Sequence, residues 1–136
     1  MKKIFVFAFL LFFGILYSQN EQIANNYFDR GDFEKAMISY EELLKSQPNN
    51  FNYFYKLVEC YQQLKQFDKA QTAIITRLEK YKYPGFLIEL GYNYQLLKDD
   101  VSAKRYYQEA IDRIAINPTE VYSIAPAFEK KFLTDY

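Results

Sequence analysis

Three apolar clusters recur along the chain with the spacing of one helix face. Ile23, Ala24 and Tyr27 form the first, Leu57, Val58 and Tyr61 the second, and Leu90, Gly91 and Tyr94 the third, each at positions i, i+1 and i+4. A second amphipathic stretch follows each cluster: Ala36, Tyr40 and Leu43, then Ala70 and Ile74, then Ala103, Tyr107 and Ala110. The pattern predicts helices in pairs, at about 20–29 and 33–46, 51–64 and 67–81, 84–97 and 100–115, with one more at about 118–134. No segment alternates as a strand does, so the fold class is all-α.

Boundary residues agree with these spans. Asn20, Asn50 and Asn117 suit helix N-caps, where a side-chain oxygen takes up an unpaired amide. Pro84 and Pro118 suit first helical positions, where the missing N–H has no partner to lose. Gly31 suits the turn between the first two helices, because a left-handed residue costs glycine least. Pro126 should kink the last helix.

The paired helices repeat in sequence as well as in pattern. Phe33-Glu34-Lys35-Ala36 and Phe67-Asp68-Lys69-Ala70 match at a spacing of 34, and Ala103 follows Ala70 by 33. A period in this range marks an array of stacked supersecondary units.

These residues resemble the tetratricopeptide repeat family, whose signature asks for Leu-Gly-like residues and Tyr in the first helix and for alanines and an aromatic in the second. The third copy carries Leu90, Gly91, Tyr94, Ala103, Tyr107 and Ala110, the first Tyr27, Ala36, Tyr40 and Pro48, and the second Phe54, Tyr61 and Ala70. Arg77 stands where the family prefers a small residue, Asp100 where it prefers an aromatic, and closing prolines are displaced to Pro84 and Pro118. The resemblance covers residues 19–136 and divides them into repeats at about 19–50, 51–83 and 84–117, with a partial fourth at 118–136. It implies a right-handed superhelical solenoid of stacked antiparallel hairpins, about seven helices in all.

Residues 1–18 read as a signal peptide. Lys2 and Lys3 precede an uncharged run from Ile4 to Tyr17, interrupted only by Gly14. As a helix this run would rise roughly 21 Å, short of the about 30 Å of a bilayer core, which favours cleavage over a permanent anchor. Ser18 is the small residue expected before the cut, with a boundary one or two residues away as the alternative. A lipid anchor would need a Cys just after the cut, and the single Cys is Cys60. The expectation is export to the periplasm or beyond, with no stable membrane span once the leader is gone.

Composition narrows the chemistry. Seventeen basic residues balance 17 acidic ones, and loss of Lys2 and Lys3 leaves the rest slightly acidic, so nucleic acid is not an expected partner. One Cys makes no internal disulfide, so the fold must hold by packing. The chain has no His and no Trp, which removes the usual proton shuttle, the nucleophile–His arrangements and the commonest metal ligand. No catalytic residue, cofactor or metal site is expected.

Other candidate motifs fit structural roles. Cys60 lies beside Val58 and Tyr61 and reads as a core thiol. Glu41-Glu42 and Asp99-Asp100 read as solvated helix-surface and helix-start acids, and Arg30-Gly31-Asp32, an adhesion tripeptide in spelling, reads as an interhelical turn. In Asn117-Pro118-Thr119 the proline excludes glycosylation.

What the resemblance implies about binding is a concave face lined by the first helix of each repeat. Carried over residue by residue, that face takes Glu21, Asn25, Phe28 and Asp29, then Asn52, Tyr55, Glu59, Gln62 and Gln63, then Ile88, Tyr92, Gln95 and Leu96. The expected partner contacts are Asn25, Phe28, Tyr55, Glu59, Gln62, Tyr92 and Gln95, a set rich in amides and tyrosine that suits peptide recognition. Glu21 and Tyr55 replace the positive charges with which some of the family clamp a peptide carboxylate.

The expected function is a non-catalytic scaffold of the bacterial cell envelope that binds a protein or peptide. Phe128, Phe132, Leu133 and Tyr136 make the last segment apolar for a capping helix. The alternative is therefore the N-terminal interaction module of a longer exported enzyme or signalling protein. A third reading is self-association through the terminal helix.

Overall fold

A computed structural model of the chain describes residues 19–120. Helix α1 runs over 19–29, α2 over Phe33–Ser46, α3 over Phe51–Gln63, α4 over Phe67–Tyr81, α5 over Pro84–Leu96 and α6 over Asp100–Ile116, followed by a 3-10 turn at Pro118–Glu120. Among the described residues there is no strand. The chain is all-α, built of consecutive helices in which α2 packs on α3, α4 on α5 and α5 on α6, as in a tetratricopeptide-like array. The leader at 1–18, Pro126 and all of the expected seventh helix beyond the 3-10 turn lie outside the described residues.

The helices stop where the backbone can reverse. Gly31 has φ 75°, and its amide donates to Phe28 O at 3.0 Å while that of Asp32 donates to Tyr27 O at 2.9 Å. This pair of bonds takes up two of the carbonyls left over at the end of α1. The same closure recurs after α5, where Lys98 at φ 60° donates to Gln95 O and Asp99 to Tyr94 O, both at 3.0 Å. After α3, Lys65 at φ 57° donates to Gln62 O at 3.0 Å. Positions 31, 65 and 98 keep the spacing of the repeat alanines, so the left-handed turn is a repeat position that glycine fills only once.

Helix starts follow the expected chemistry in part. Asn50 caps α3 by accepting from the Tyr53 amide at 3.2 Å, and Pro84 opens α5 at the first position. Asp99 caps α6, accepting from the Ser102 amide at 3.0 Å and its hydroxyl at 2.6 Å. Those donors hold its carboxyl below the usual range. Asn20 lies within α1 and is not its cap, since helical structure already includes residue 19. Asn117 closes α6 and accepts from the Thr119 hydroxyl at 2.8 Å.

Two compact units divide between Lys65 and Gln66. In the first, Ala24 and Ala36 are fully buried, and their small side chains let helix backbones come close. Aromatics fill the remaining space: Phe28 meets Phe33 edge-on at 5.5 Å and Tyr40 at 6.3 Å, and Tyr40 lies 6.3 Å from Tyr53.

In the second unit, α5 is the inner helix. Every residue from Pro84 to Gly91 is buried, which is the pattern of a helix enclosed on all sides rather than one with a single wet face. Leu87 and Ile88 pack with Ala103, Tyr107 and Ala110 of α6, flanked by Leu78, Tyr83, Tyr94, Tyr106 and Ile114. Gly91 is required at this contact: an ideal Cβ there would stand 2.6 Å from Tyr107 Cδ1 and 3.1 Å from Cζ. Arg77, at a position where a small residue was expected, is half-buried on α4 with its guanidinium 5.8 Å from the Tyr81 ring centre.

Candidate functional site

The expected contact residues sit on α1 and α3 in the first unit and on α5 in the second, and the structure separates them by depth. In the first unit Asn25 is half-buried and accepts from the Tyr40 hydroxyl at 2.7 Å, a bond that joins α1 to α2. Phe28 is also half-buried, with the Lys56 ammonium 3.6 Å from its ring centre. Glu21, next along the same helix face, accepts from the Tyr53 hydroxyl at 2.9 Å. These three side chains therefore hold α1 against its neighbours as well as lining a surface. Tyr55 and Glu59, on α3, are half-buried, and the Tyr55 ring lies 6.0 Å from that of Phe54.

Gln62 does not line a surface. It is only 5 % exposed, and neither of its amide atoms has a hydrogen-bond partner. A buried unpaired amide is costly and uncommon, and periodicity alone gave no sign of it, because Gln62 and the exposed Gln63 are adjacent amides on one helix.

In the second unit Tyr92 is half-buried and Gln95 is exposed. Gln95 accepts from the Tyr107 hydroxyl at 2.8 Å. Tyr107 and Tyr40 occupy the same repeat position, so in two hairpins the second-helix tyrosine reaches across to an amide on the first helix. Ile74 fills that position in the intervening copy and has no hydroxyl to give. Tyr94 stacks on Tyr106 at 5.4 Å with 14° between the rings, and the Arg105 guanidinium lies 4.6 Å from the Tyr106 ring centre.

Two polar residues of α5 carry no signal in the sequence pattern. Asn93 is fully buried and donates from Nδ2 to Phe67 O at 3.1 Å, tying α5 to the start of α4, while its Oδ1 has no partner. Glu89 is buried at 6 % exposure. Both lie in a run that hydropathy reads as apolar, so a three-dimensional neighbour list is needed to find them.

The chemistry of the remaining groups is quiet. Burial, reinforced by the Glu59 carboxylate, pushes the Cys60 thiol from 9.0 up to about 12, so it stays protonated and a poor nucleophile. Tyr40 and Tyr61 are raised mainly by burial, and Tyr61 also donates to Glu41 at 2.8 Å. A groove of about 480 Å³ opens between α1 and α2, lined by Ile23, Ile38, Leu43, Ser39 and Glu42 among others. Among the described residues its one ionisable side chain is Glu42, which pairs with Lys45. Among the described residues no cluster of three acids or cysteines converges as a metal ion would require, and no helix is long and apolar enough to cross a membrane.

No match was found among curated proteins. A family model described as tetratricopeptide repeat matches residues 27–82, which run from the end of α1 to the residue after α4. Repeats of this kind generally mediate protein–protein interaction and typically serve as non-catalytic scaffolds. That match, the 34-residue recurrence of buried Ala36 and Ala70, and the same hairpin repeated as α5 and α6 around Gly91 and Ala103 together support a protein of the tetratricopeptide repeat family.

Proposed function

We propose that this protein is a non-catalytic, exported scaffold of the cell envelope that binds a protein or peptide partner through the first-helix faces of its repeats. The observation that carries the reading is the pair of ties from Tyr40 to Asn25 and from Tyr107 to Gln95, at 2.7 and 2.8 Å. Each holds a first-helix amide in one orientation while a second lone pair remains for a ligand, so the recognition groups need little further ordering on binding. Tyr55 and Glu59 on α3 and Tyr92 on α5 supply amphipathic neighbours on their own units. Gln62 is left out of the face because it is buried.

Export rests on the Lys2, Lys3 and Ile4 to Tyr17 pattern, with the cut after Ser18. The test is affinity capture from an envelope extract, with captured proteins identified and the affinity then measured on the purified partner. Replacing Tyr55 and Tyr92 together by Ala should weaken binding by at least about tenfold, since a buried aromatic contact contributes more than about 1 kcal/mol. Unchanged affinity in a folded double variant would reject this face.

A further inference from the structure

The sequence places a glutamine, Gln19, directly after the proposed cut. An N-terminal glutamine has chemistry that no other N-terminal amide shares. Its free α-amine lies within reach of its own side-chain Cδ, and attack closes a five-membered ring. Asparagine, one methylene shorter, would have to close a strained four-membered ring instead.

Structure adds two observations, one on access and one on charge. Gln19 is exposed, and among the described residues its side-chain amide has no hydrogen-bond partner to break. It also stands within α1, so the mature chain would begin inside the first turn of that helix. There the leading amides have no carbonyl partners and the helix dipole is positive, so an α-ammonium is repelled. Asn20 beside it is uncharged, and the carboxylate of Glu21, two residues on, is engaged by the Tyr53 hydroxyl at 2.9 Å. Ring closure removes that positive charge, as N-terminal acetylation does, and relieves the conflict.

We propose that Gln19 is a modification site, closed in the mature protein as an N-terminal pyroglutamyl lactam. The α-amine nitrogen forms a bond to Cδ, the Cδ–Nε2 bond breaks, and the departing nitrogen leaves as ammonia with the proton lost from the amine. No oxidant, reductant or second substrate is consumed. The inference rests on cleavage after Ser18, and the consequence is a neutral chain start that aminopeptidases do not attack.

The experiment is mass spectrometry and stepwise N-terminal degradation of the mature protein from its native source, beside a Gln19→Asn variant expressed there in the same way. The expected N-terminal peptide begins at residue 19, weighs one ammonia less than encoded, and resists degradation until a pyroglutamyl peptidase removes the lactam. The variant should begin at residue 19 with a free amine. A native chain that begins at Gln19 with its amine free overturns the lactam and leaves the cleavage reading intact. A chain that begins elsewhere, or keeps its leader, overturns the cleavage site and the lactam together.

Discussion

Gly91→Ala is the most decisive single change, because two well-understood effects oppose each other there. In an exposed helix interior, alanine would stabilise by about 1 kcal/mol over glycine. At Gly91 the new methyl would stand 2.6 Å from Tyr107 Cδ1 and 3.1 Å from Cζ, against an ordinary carbon contact of about 3.5–4.0 Å. The ring cannot turn aside freely. Tyr107 is 1 % exposed, packs with Leu87, Ile88 and Ala110, and donates its hydroxyl to Gln95 at 2.8 Å. Overpacking of this kind costs about 1–3 kcal/mol, and loss of the hydroxyl bond adds about 1 kcal/mol. The sum less the propensity gain is a net destabilisation of about 1–3 kcal/mol. Urea unfolding should show a lower midpoint at unchanged slope, and amide exchange should quicken in α5 and α6. In a Tyr107→Leu background the clash is gone, so the same substitution should be neutral or stabilising, a coupling above about 1 kcal/mol. If Gly91→Ala raises stability by about 1 kcal/mol in the parent chain, or if the two changes simply add, the close approach of α5 and α6 at this point is wrong.

Other outcomes follow from the same geometry. Lys65→Gly and Lys98→Gly, at φ 57° and 60°, should each stabilise by up to about 1 kcal/mol by relieving left-handed strain, whereas Gly31→Lys should destabilise by a similar amount; thermal midpoints measure all three. Asn50→Ala removes the acceptor for the Tyr53 amide and should cost about 1 kcal/mol in denaturant titration. Alkali should destabilise the first unit. Cys60, Tyr40, Tyr53 and Tyr61 all have pKa values raised by burial, so above the unfolded values the native state binds more protons than the unfolded one and stability falls with pH. The unfolding midpoint should be level up to about pH 8, begin to fall as the unfolded thiol titrates near about 8.5, and drop further as the tyrosines titrate. A midpoint constant to about pH 11 would contradict the burial of these groups. Over the same lower range Cys60 should resist alkylation until the chain unfolds.

The helices and their order were legible from residue spacing alone. Ala36, Ala70 and Ala103 recur at the repeat interval and are 0, 0 and 3 % exposed, because only a small side chain lets two helix backbones approach at those points. The same argument picked out Gly91, and the start of α5 at Pro84 and of α3 after Asn50 needed no more than local backbone chemistry. Depth was a different matter. Periodicity assigns a residue to a helix face, but a face curves from core to solvent, and neighbouring packed elements set where along that curve an amide comes to rest. Gln62 and Gln95 share a repeat position, yet one is buried with no partner and the other is exposed and bound to Tyr107. Asn93 reads as polar within an apolar run and proves to be fully enclosed, tied to a carbonyl 26 residues away. The lysines at 65 and 98 take a conformation that composition assigns to glycine, because closing the helix end outweighs the local strain of a side chain that stays in solvent. Local chemistry decides which segments become helices and where they end; the mutual fit of those helices decides which of their polar groups face solvent and which hold the protein together.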